Sequence, residues 1–251
     1  MKKALVTGAS SGIGRDIALY LDSLGYKLIL IGRNIEALED VQSSCKSAKI
    51  IICDLSKLEE VYQLYNQVKK ENITLLVNNA GFGLFGDFNK TDIDIELEMI
   101  NVNIIAVHLL TKLFLKDFIK KDKGRILNVA SSAGFLPGPR MSTYYGTKNY
   151  VLKISLAIYE ELRKKKSNVK INCLCPGPVV TNFQKRAGVS FTPKNLSSEY
   201  VAKYAVDKML KDKLIIIPSF RMKLNLFVLR FIPTKILLKI VYNVQKEKKG
   251  K

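Results

Sequence analysis

Short apolar runs alternate along this chain with longer stretches in which apolar positions recur at helical spacing. Runs of this kind are typical of buried strands in a parallel sheet. They lie at residues 3–7, 27–33, 48–54, 73–81, 125–130, 168–181 (a strand with the loop after it) and 213–218. Helical periods between them include residues 15–25, 92–120, 147–166 and 198–211. This alternation predicts an α/β fold in which helices cover a doubly wound, seven-stranded parallel sheet.

The last part of the chain departs from this alternation. Residues 1–218 account for one domain, and residues 219–251 form a basic, amphipathic extension. The extension holds nine basic residues against the single acid Glu247, and Arg230 interrupts its apolar run before that run reaches a membrane-spanning length. After Pro233 the apolar residues recur at helical spacing; they are Ile236, Leu237, Ile240, Val241 and Val244. Two interpretations stay open: the apolar stripe docks on the domain or in a subunit interface, or the helix lies on an anionic bilayer.

Composition and charge narrow the class of protein. With 251 residues, 47% of them hydrophobic and 25% charged, the chain has the size and composition of one soluble domain. The net charge of +19 is compatible with a nucleic acid or an anionic membrane as partner, but no nucleic-acid-binding motif accompanies it. We therefore expect no nucleic-acid partner. Because a strand begins within a few residues of Met1, we predict no signal peptide and a cytoplasmic location.

The four cysteines have neither metal-binding nor disulfide spacing. Cys173 and Cys175 stand two apart on a predicted strand and are expected to point to opposite faces, while Cys45 and Cys53 lie far from them in sequence. We interpret all four as buried thiols in a reducing compartment. The single histidine, His108, is interpreted as a helix residue, and no metal site is predicted.

A glycine-rich turn, TGASSGIG at residues 7–14, follows the first strand and precedes a helical period. Its glycines let the backbone approach a pyrophosphate closely, and the start of the helix supplies free N–H donors and a favourable dipole. The spacing alone is a weak signal, because glycines also form ordinary turns. With the second strand it completes a βαβ unit, which predicts a dinucleotide site.

Two residues with complementary chemistry, Tyr144 and Lys148, stand four apart on a predicted helix, so their side chains emerge on one face. An ammonium about 4 Å from a phenol, at an effective dielectric of roughly 20, favours the phenolate by about 4 kcal/mol. We therefore expect Lys148 to lower the pKa of Tyr144 towards neutrality, where the phenol acts as a general acid or base. Ser131 follows the predicted strand at 125–130, and at that strand end its hydroxyl is placed to hydrogen-bond the same substrate oxygen.

Four motifs together resemble those of the short-chain dehydrogenase/reductase family: TGASSGIG, NNAG at 78–81, the Tyr-x-x-x-Lys pair, and PGPVVT at 176–181. The resemblance covers residues 1 to about 218. It implies a Rossmann-type fold in which Asn78 steadies the central sheet, and a catalytic group formed by Asn103, Ser131, Tyr144 and Lys148. Asn103 is implied to hold a water that links the lysine to solvent, and the spacing fits it better than Asn101.

The same resemblance implies the residues around the cofactor. They are Gly8, Ser10, Ser11, Gly12, Ile13, Gly14, Arg33, Asp54, Leu55, Asn79, Ala80, Gly81, Tyr144, Lys148, Pro176, Gly177, Val179 and Thr181. It also implies a substrate lid within residues 182–196, which hold Phe183, Gly188, Phe191 and Pro193.

The end of the second predicted strand indicates which dinucleotide binds. Gly32 and Arg33 stand where the family places an aspartate in its NAD users. Because a guanidinium can hold a 2′-phosphate, we predict NADP(H) in preference to NAD. Asp54 resembles the family's adenine-contacting aspartate; alternatively, Asp54 or Ser56 caps the helix that begins near Lys57.

The resulting prediction is an NADP(H)-dependent oxidoreductase that transfers a hydride reversibly between nicotinamide and a ketone, an aldehyde or a secondary alcohol, including lipophilic ones. Two alternatives belong to other classes. A sugar-nucleotide epimerase or dehydratase shares the Tyr and Lys but normally has a larger carboxyl-terminal domain and another glycine spacing. A nucleotide-binding regulator is expected to lack a catalytic residue. The resemblance further implies a homo-dimer or homo-tetramer paired through the two long helices that flank the catalytic strand.

Overall fold

The computed structural model describes residues 2–181, 183, 187–188 and 196–246, and within them seven strands form one parallel sheet. In chain order, the nine strands of the described residues, two of them outside this sheet, are β1 (Lys3–Thr7), β2 (Lys27–Gly32), β3 (Ala48–Ile52), β4 (Leu75–Asn78), β5 (Arg125–Val129), β6 (Lys170–Leu174), β7 (Val179–Val180), β8 (Leu196–Ser197) and β9 (Ile215–Ile216). The sheet order is β3-β2-β1-β4-β5-β6-β9, and β7 pairs separately with β8. The predicted doubly wound, seven-stranded sheet is confirmed. Because the strand order reverses between β1 and β4, a crevice forms at their carboxyl ends, where such sheets bind ligands.

Helices cover both faces of this sheet. They are α1 (Gly12–Ser23), α2 (Ile35–Ser43), α3 (Leu58–Val68), α4 (Ile93–Ile100), α5 (Val107–Lys120), α6 (Ser142–Lys164), α7 (Ser198–Leu210), α8 (Phe220–Leu229) and α9 (Thr234–Lys246). Alternate side chains of β1 separate the two layers. Leu5 packs in a cluster with Leu64 of α3 and Phe114 of α5, whereas Val6 packs in a second cluster with Ile17 of α1.

The helical period at 92–120 is not one regular helix. Between α4 and α5 the chain forms a π-helical segment, Asn101–Ala106, in which each hydrogen bond spans one more residue than in an α-helix. Helix α6 begins at Ser142, ahead of the predicted period, and the last strand keeps only Ile215–Ile216 of its predicted run. Most of the predicted lid, with Phe191 and Pro193, lies outside the described residues.

A buried polar network ties the centre of the sheet to two helices. Asn78 donates from Nδ2 to Asn128 Oδ1 at 2.9 Å and to Thr111 Oγ1 at 3.0 Å, and Asn128 donates to Ser155 Oγ at 3.0 Å. All four side chains are buried. Because unpaired buried amides are destabilising, this network favours one packing of β4 and β5 against α5 and α6.

The prediction for the cysteine pair on β6 and its following loop is wrong. The Sγ atoms of Cys173 and Cys175 are 3.8 Å apart, because residues two apart along an extended chain share a face. All four cysteines are free thiols.

The carboxyl-terminal extension folds into α8 and α9, and few of its side chains are buried. Leu226 of α8 and Val241 and Gln245 of α9 are the buried residues of these two helices. Across the ranges that the structure describes, no helix is both long and apolar enough to cross a membrane. The division into residues 1–218 and 219–251 stays a prediction from the sequence.

Candidate active site

A cavity of about 440 Å³ opens at the carboxyl ends of the central strands. All of the residues implied to contact the cofactor line it, with the exception of Gly14. Ser131 lines it too, whereas Asn103 does not. The volume lies within the range of small-molecule sites, roughly 300–1,000 Å³. The fold therefore gathers most of the sequence-predicted site residues around one space.

The glycine turn between β1 and α1 is shaped by close backbone contacts. Gly8 has a φ of +64°, and a Cβ there would lie 2.8 Å from the Cα of Ala80. A Cβ on Gly14 would collide with Asn79 Nδ2 and the carbonyl oxygen of Gly8, so Gly14 packs against the neighbouring turn and does not line the cavity. These contacts leave a narrow backbone cradle at the amino end of α1. Such a cradle fits a pyrophosphate.

Thr7, the last residue of β1, holds the NNAG turn in place. Its Oγ1 accepts hydrogen bonds from the backbone N–H groups of Asn79 at 3.0 Å and Ala80 at 3.1 Å. In return, Asn79 Nδ2 donates to the carbonyl oxygens of Thr7 and Gly8 at 3.1 and 3.2 Å. The sequence pattern did not single out Thr7 for this role; its only signal is its position directly before the first glycine.

Arg33 lies at the far end of the cavity, where β2 ends. Its side chain is 49% exposed, and Nη1 lies 3.1 Å from Glu98 Oε1 and 3.7 Å from Asp54 Oδ1. Two carboxylates thus hold the guanidinium at the cavity edge. A planar guanidinium in this position can bind a phosphate through two parallel hydrogen bonds.

The alternative role predicted for Asp54 or Ser56, capping α3, is wrong. Lys57 is the N-cap residue of α3, and its side chain makes no capping hydrogen bond. Asp54 Oδ1 accepts instead from the backbone N–H of Ser56 at 3.0 Å and from its hydroxyl at 2.8 Å. Burial raises the pKa of Asp54, but these hydrogen bonds and the charges of Arg33 and Lys57 outweigh it, and the pKa is lowered. The carboxylate is therefore ionised where it lines the cavity.

The predicted catalytic side chains meet where β5 ends beside α6. Tyr144 is 9% exposed and Lys148 is 5% exposed, and both line the cavity. Ser131 hydrogen-bonds Tyr144, and its Oγ accepts from the backbone N–H of Ala133 at 3.1 Å. Lys148 Nζ donates to the carbonyl oxygen of Val129 at 3.0 Å and lies 5.9 Å from the centre of the Tyr144 ring.

The predicted lowering of the Tyr144 pKa is wrong for this structure. Burial raises the pKa of the phenol well above its usual 10, and the hydrogen bond from Ser131 opposes this only in part. Burial also lowers the pKa of Lys148 from 10.5 to about 8. The spacing argument placed a fully solvated ammonium beside the phenol, but desolvation of both groups is the larger effect here. Tyr144 therefore carries its proton at neutral pH.

Asn103 lies in the π-helical segment and is fully buried. Its amide pairs with the backbone of Phe82, accepting from N–H at 3.1 Å and donating to the carbonyl oxygen at 2.9 Å, and it also donates to Thr147 Oγ1 at 3.0 Å. A Cβ on Gly81 would lie 2.8 Å from Asn103 Oδ1 and 3.2 Å from Lys148 Nζ. Asn103 therefore sits beside the lysine, as the family resemblance implied. Its role in holding a water stays a prediction.

An apolar wall completes the cavity, and most of it was not predicted from the sequence. It contains Phe82, Val102, Met141 and Tyr145, which were not predicted, together with Phe183 of the predicted lid. The Phe183 ring centre lies 5.3 Å from that of Tyr144. Tyr145 accepts a hydrogen bond from Gln245 Nε2 of α9 at 2.6 Å. No local pattern could reveal that contact, because the two residues are one hundred positions apart.

A family model described as short chain dehydrogenase matches residues 2–189. This chain belongs to the short-chain dehydrogenase/reductase family. It is therefore an oxidoreductase of that family. The "Uncharacterized short-chain type dehydrogenase/reductase y4eK" of Sinorhizobium fredii is 38% identical over 188 residues, which cover 73% of this chain and 72% of that protein. The Homo sapiens protein "Estradiol 17-beta-dehydrogenase 11" is 34% identical over 223 residues, which cover 86% of this chain and 74% of that protein.

Among solved structures, the short-chain dehydrogenase from Sphingobium yanoikuyae in complex with NADPH has the same fold. It is 26% identical in sequence and superimposes with a TM-score of 0.82, covering 88% of this chain and 89% of that one.

Proposed function

We propose that this short-chain dehydrogenase/reductase uses NADPH to reduce a lipophilic ketone or aldehyde and oxidises the corresponding alcohol in reverse. The observation that carries the proposal is the arrangement of Ser131, Tyr144 and Lys148, which line the same cavity as the glycine turn. A proton donor, a second hydroxyl and a cation beside a dinucleotide cradle are the groups that carbonyl reduction requires.

The cofactor residues support NADPH. The backbone around Gly8 and Gly12 would hold the pyrophosphate, and Arg33 would bind a 2′-phosphate through its exposed guanidinium. Lys148 would hydrogen-bond the ribose hydroxyls, and Thr181 would bond the carboxamide. When bound, NADPH supplies a hydride to the carbonyl carbon. The related dehydrogenase of Sphingobium yanoikuyae, which was solved with NADPH, supports the same choice.

The chain's own residues provide the proton. Tyr144 donates its phenolic proton to the carbonyl oxygen as the carbonyl carbon accepts the hydride, so the carbonyl becomes an alcohol. A raised pKa keeps that proton on the phenol at neutral pH, which suits the reductive direction. Ser131 donates a hydrogen bond that orients and polarises the same oxygen. Lys148 and Asn103 then form the path through which Tyr144 regains a proton.

The apolar wall favours a lipophilic substrate. Phe82 and Met141 are buried, and the Phe183 ring lies tilted against the Tyr144 ring, near the point where the carbonyl would bind. Burial of a hydrocarbon substrate against these side chains is favourable by about 25 cal/mol per Å² of apolar surface removed from water. The relative whose name specifies estradiol, a lipophilic secondary alcohol, supports the same substrate class.

A paired-substrate assay tests this proposal. Oxidation of NADPH and of NADH is followed at about 340 nm with a long-chain ketone and with a short, polar ketone of equal carbonyl reactivity. We expect kcat/KM to be highest for NADPH with the long-chain ketone. No turnover with any carbonyl or alcohol would overturn the reaction class, whereas equal values for the two ketones would overturn the substrate class alone.

Assembly and location stay predictions from the sequence. We propose a homo-oligomer whose subunits pair through α5 and α6, and a cytoplasmic location with peripheral contact at a membrane surface.

A further inference from the structure

The outer faces of α8 and α9 expose an unusual amount of apolar surface. Ten large apolar side chains are exposed there; they are Phe220, Leu224, Phe227, Val228, Phe231, Ile236, Leu238, Ile240, Tyr242 and Val244. Phe220, Leu224 and Phe227 follow one another at intervals of four and three residues, so they form a row along one side of α8. Phe231 lies in the turn after α8, with its ring centre 5.4 Å from that of Phe227. We call the ten residues the outer apolar surface. Exposed apolar side chains in this number on two short helices mark an interaction site.

The outer apolar surface is distinct from the faces with which the two helices dock. Leu226 and Val241 are each 7% exposed, and Gln245 is 1% exposed. Gln245 ties α9 to Tyr145 of the domain, and Val241 is the buried member of the predicted apolar stripe. Phe227 and Phe231, at 57% and 74% exposure, point away from the same core. Docking therefore leaves the exposed apolar side chains of the two helices uncovered.

Charge indicates what covers the outer apolar surface. Residues 219–246 contain six basic side chains and no Asp or Glu; the six are Arg221, Lys223, Arg230, Lys235, Lys239 and Lys246. A second copy of the chain would bring two such sets of cations together, which is repulsive. An anionic lipid surface offers the opposite charge together with a hydrocarbon layer. Phenylalanine and leucine flanked by Lys and Arg are the residues of helices that lie in a bilayer interface.

We propose that α8 and α9 bind the surface of a phospholipid bilayer that contains anionic lipids. The outer apolar surface enters the acyl boundary, and the basic side chains lie at the headgroups. Each Lys or Arg near such a surface is worth about a fivefold increase in the binding constant. Because neither helix is long and apolar enough to cross the bilayer within the described part of the chain, the contact is peripheral.

This contact lies beside the active-site cavity. Gln245 donates to Tyr145, and a Cβ on Gly177 would lie 2.8 Å from Cε of Met222 in α8. Tyr145 and Gly177 both line the cavity. If the proposed function is right, a lipophilic carbonyl dissolved in the bilayer reaches the cavity without crossing water; this last step rests on that function, whereas bilayer binding does not.

Vesicle flotation of the full chain tests the proposal. The wild type is mixed with vesicles of neutral phosphatidylcholine or of phosphatidylcholine with about one third phosphatidylglycerol, at low and high salt. We expect binding to the anionic vesicles at low salt that weakens steeply at high salt. Wild-type protein that stays in the soluble fraction with anionic vesicles at low salt would overturn the proposal.

Matched variants test whether vesicle binding depends on the charges of α8 and α9 or on the net charge of the whole chain. The triple change Arg230→Gln, Lys235→Gln and Lys239→Gln is expected to lower the partition constant about a hundredfold. The control removes three exposed charges at the end of α6, Lys164→Gln, Lys165→Gln and Lys166→Gln, and should retain binding. Equal losses in both triple variants would mean that net charge alone drives binding, and the proposal would be wrong.

A second pair of variants tests the apolar part. Phe227→Ser with Phe231→Ser should lower binding at least tenfold, whereas Phe88→Ser, at a position 67% exposed outside the extension, should not. Light scattering on the same samples tests whether a second copy of the chain covers the outer apolar surface. If the wild type is a dimer that the double change dissociates, and vesicle binding is absent, the surface is a subunit interface and the proposal fails.

Discussion

Replacing Lys148 with methionine should stabilise the fold while it stops the reaction. The side chain is 5% exposed, and burial lowers the pKa of its ammonium from 10.5 to about 8. A shift of about 2.5 units corresponds to about 3 kcal/mol at about 1.4 kcal/mol per unit, which is the cost of burying the charge at neutral pH. Methionine keeps most of the apolar stem. Loss of the hydrogen bond to the Val129 carbonyl costs about 1 kcal/mol, so we expect the free energy of unfolding to rise by a net amount of about 1–2 kcal/mol.

The pH dependence gives this prediction its sharpest test. Below pH 8 the folded and unfolded chains both carry the Lys148 ammonium, so the full cost is present. Between about 8 and 10.5 the folded chain binds fewer protons than the unfolded chain, and the stability of the wild type rises with pH. The advantage of Lys148→Met should therefore shrink by about 2 kcal/mol between pH 7 and about pH 9.5.

Thermal unfolding of both proteins at the two pH values measures the effect. A gain of 1 kcal/mol raises the Tm of a chain of this size by about 2–4 °C. Lys153→Met, an exposed position on the same helix, is the matched control and should change stability by less than about 0.5 kcal/mol. A variant that is less stable than the wild type at both pH values, with the same difference at each, would refute the reasoning. Turnover of Lys148→Met should fall at least about a hundredfold.

Other positions give independent tests. Tyr144→Phe should retain NADPH binding and lose about 10²–10⁴-fold in turnover, while Tyr159→Phe on the same helix keeps wild-type rates; a retained kcat in Tyr144→Phe would exclude it as the proton donor. Arg33→Ala should reduce the preference for NADPH over NADH about ten- to a hundredfold in kcat/KM, and a wild type that uses both equally would contradict this. The oxygen of the Gln245 amide already lacks a partner within the described residues, and Tyr145→Phe would also leave its Nε2 without the bond to the phenol, so the free energy of unfolding should fall by about 1–3 kcal/mol. The double change with Gln245→Leu should recover most of that loss, and additive losses in a denaturant titration would speak against the contact.

The sheet could be predicted because its signal is local. Each strand is a short apolar run, and the turn glycines and the Asn-Asn-Ala-Gly motif mark the strand ends that face the cavity. Tyr144 and Lys148 share a helix face by spacing alone, and Ser131 follows from its place at a strand end. For these residues, position in the chain nearly determines position in space.

Most of the wrong predictions concern properties that depend on distant parts of the chain. The pKa of Tyr144 is raised by the burial that several elements provide together, which spacing along one helix does not reveal. The bond between Tyr145 and Gln245 was not predicted, because nothing near Tyr145 in the sequence indicates it. The cap of α3 failed for a smaller reason, since Asp54 bonds Ser56 locally and so does not reach the helix. The prediction for Cys173 and Cys175 was wrong because residues two apart along a strand point to the same face.

The π-helical segment holds a residue that the packing of its two flanks does not need. An α-helix turns by about 100° per residue, whereas a π-helical turn takes about one residue more. Deleting a single residue from Asn101–Ala106 would therefore restore regular hydrogen bonding and leave the two flanks nearly in register. Met99 on one side and Leu110 on the other are both buried, and both would keep their places in the core. The same deletion would turn the Asn103 amide away from Phe82, so the extra residue serves the position of this amide rather than the packing of the core.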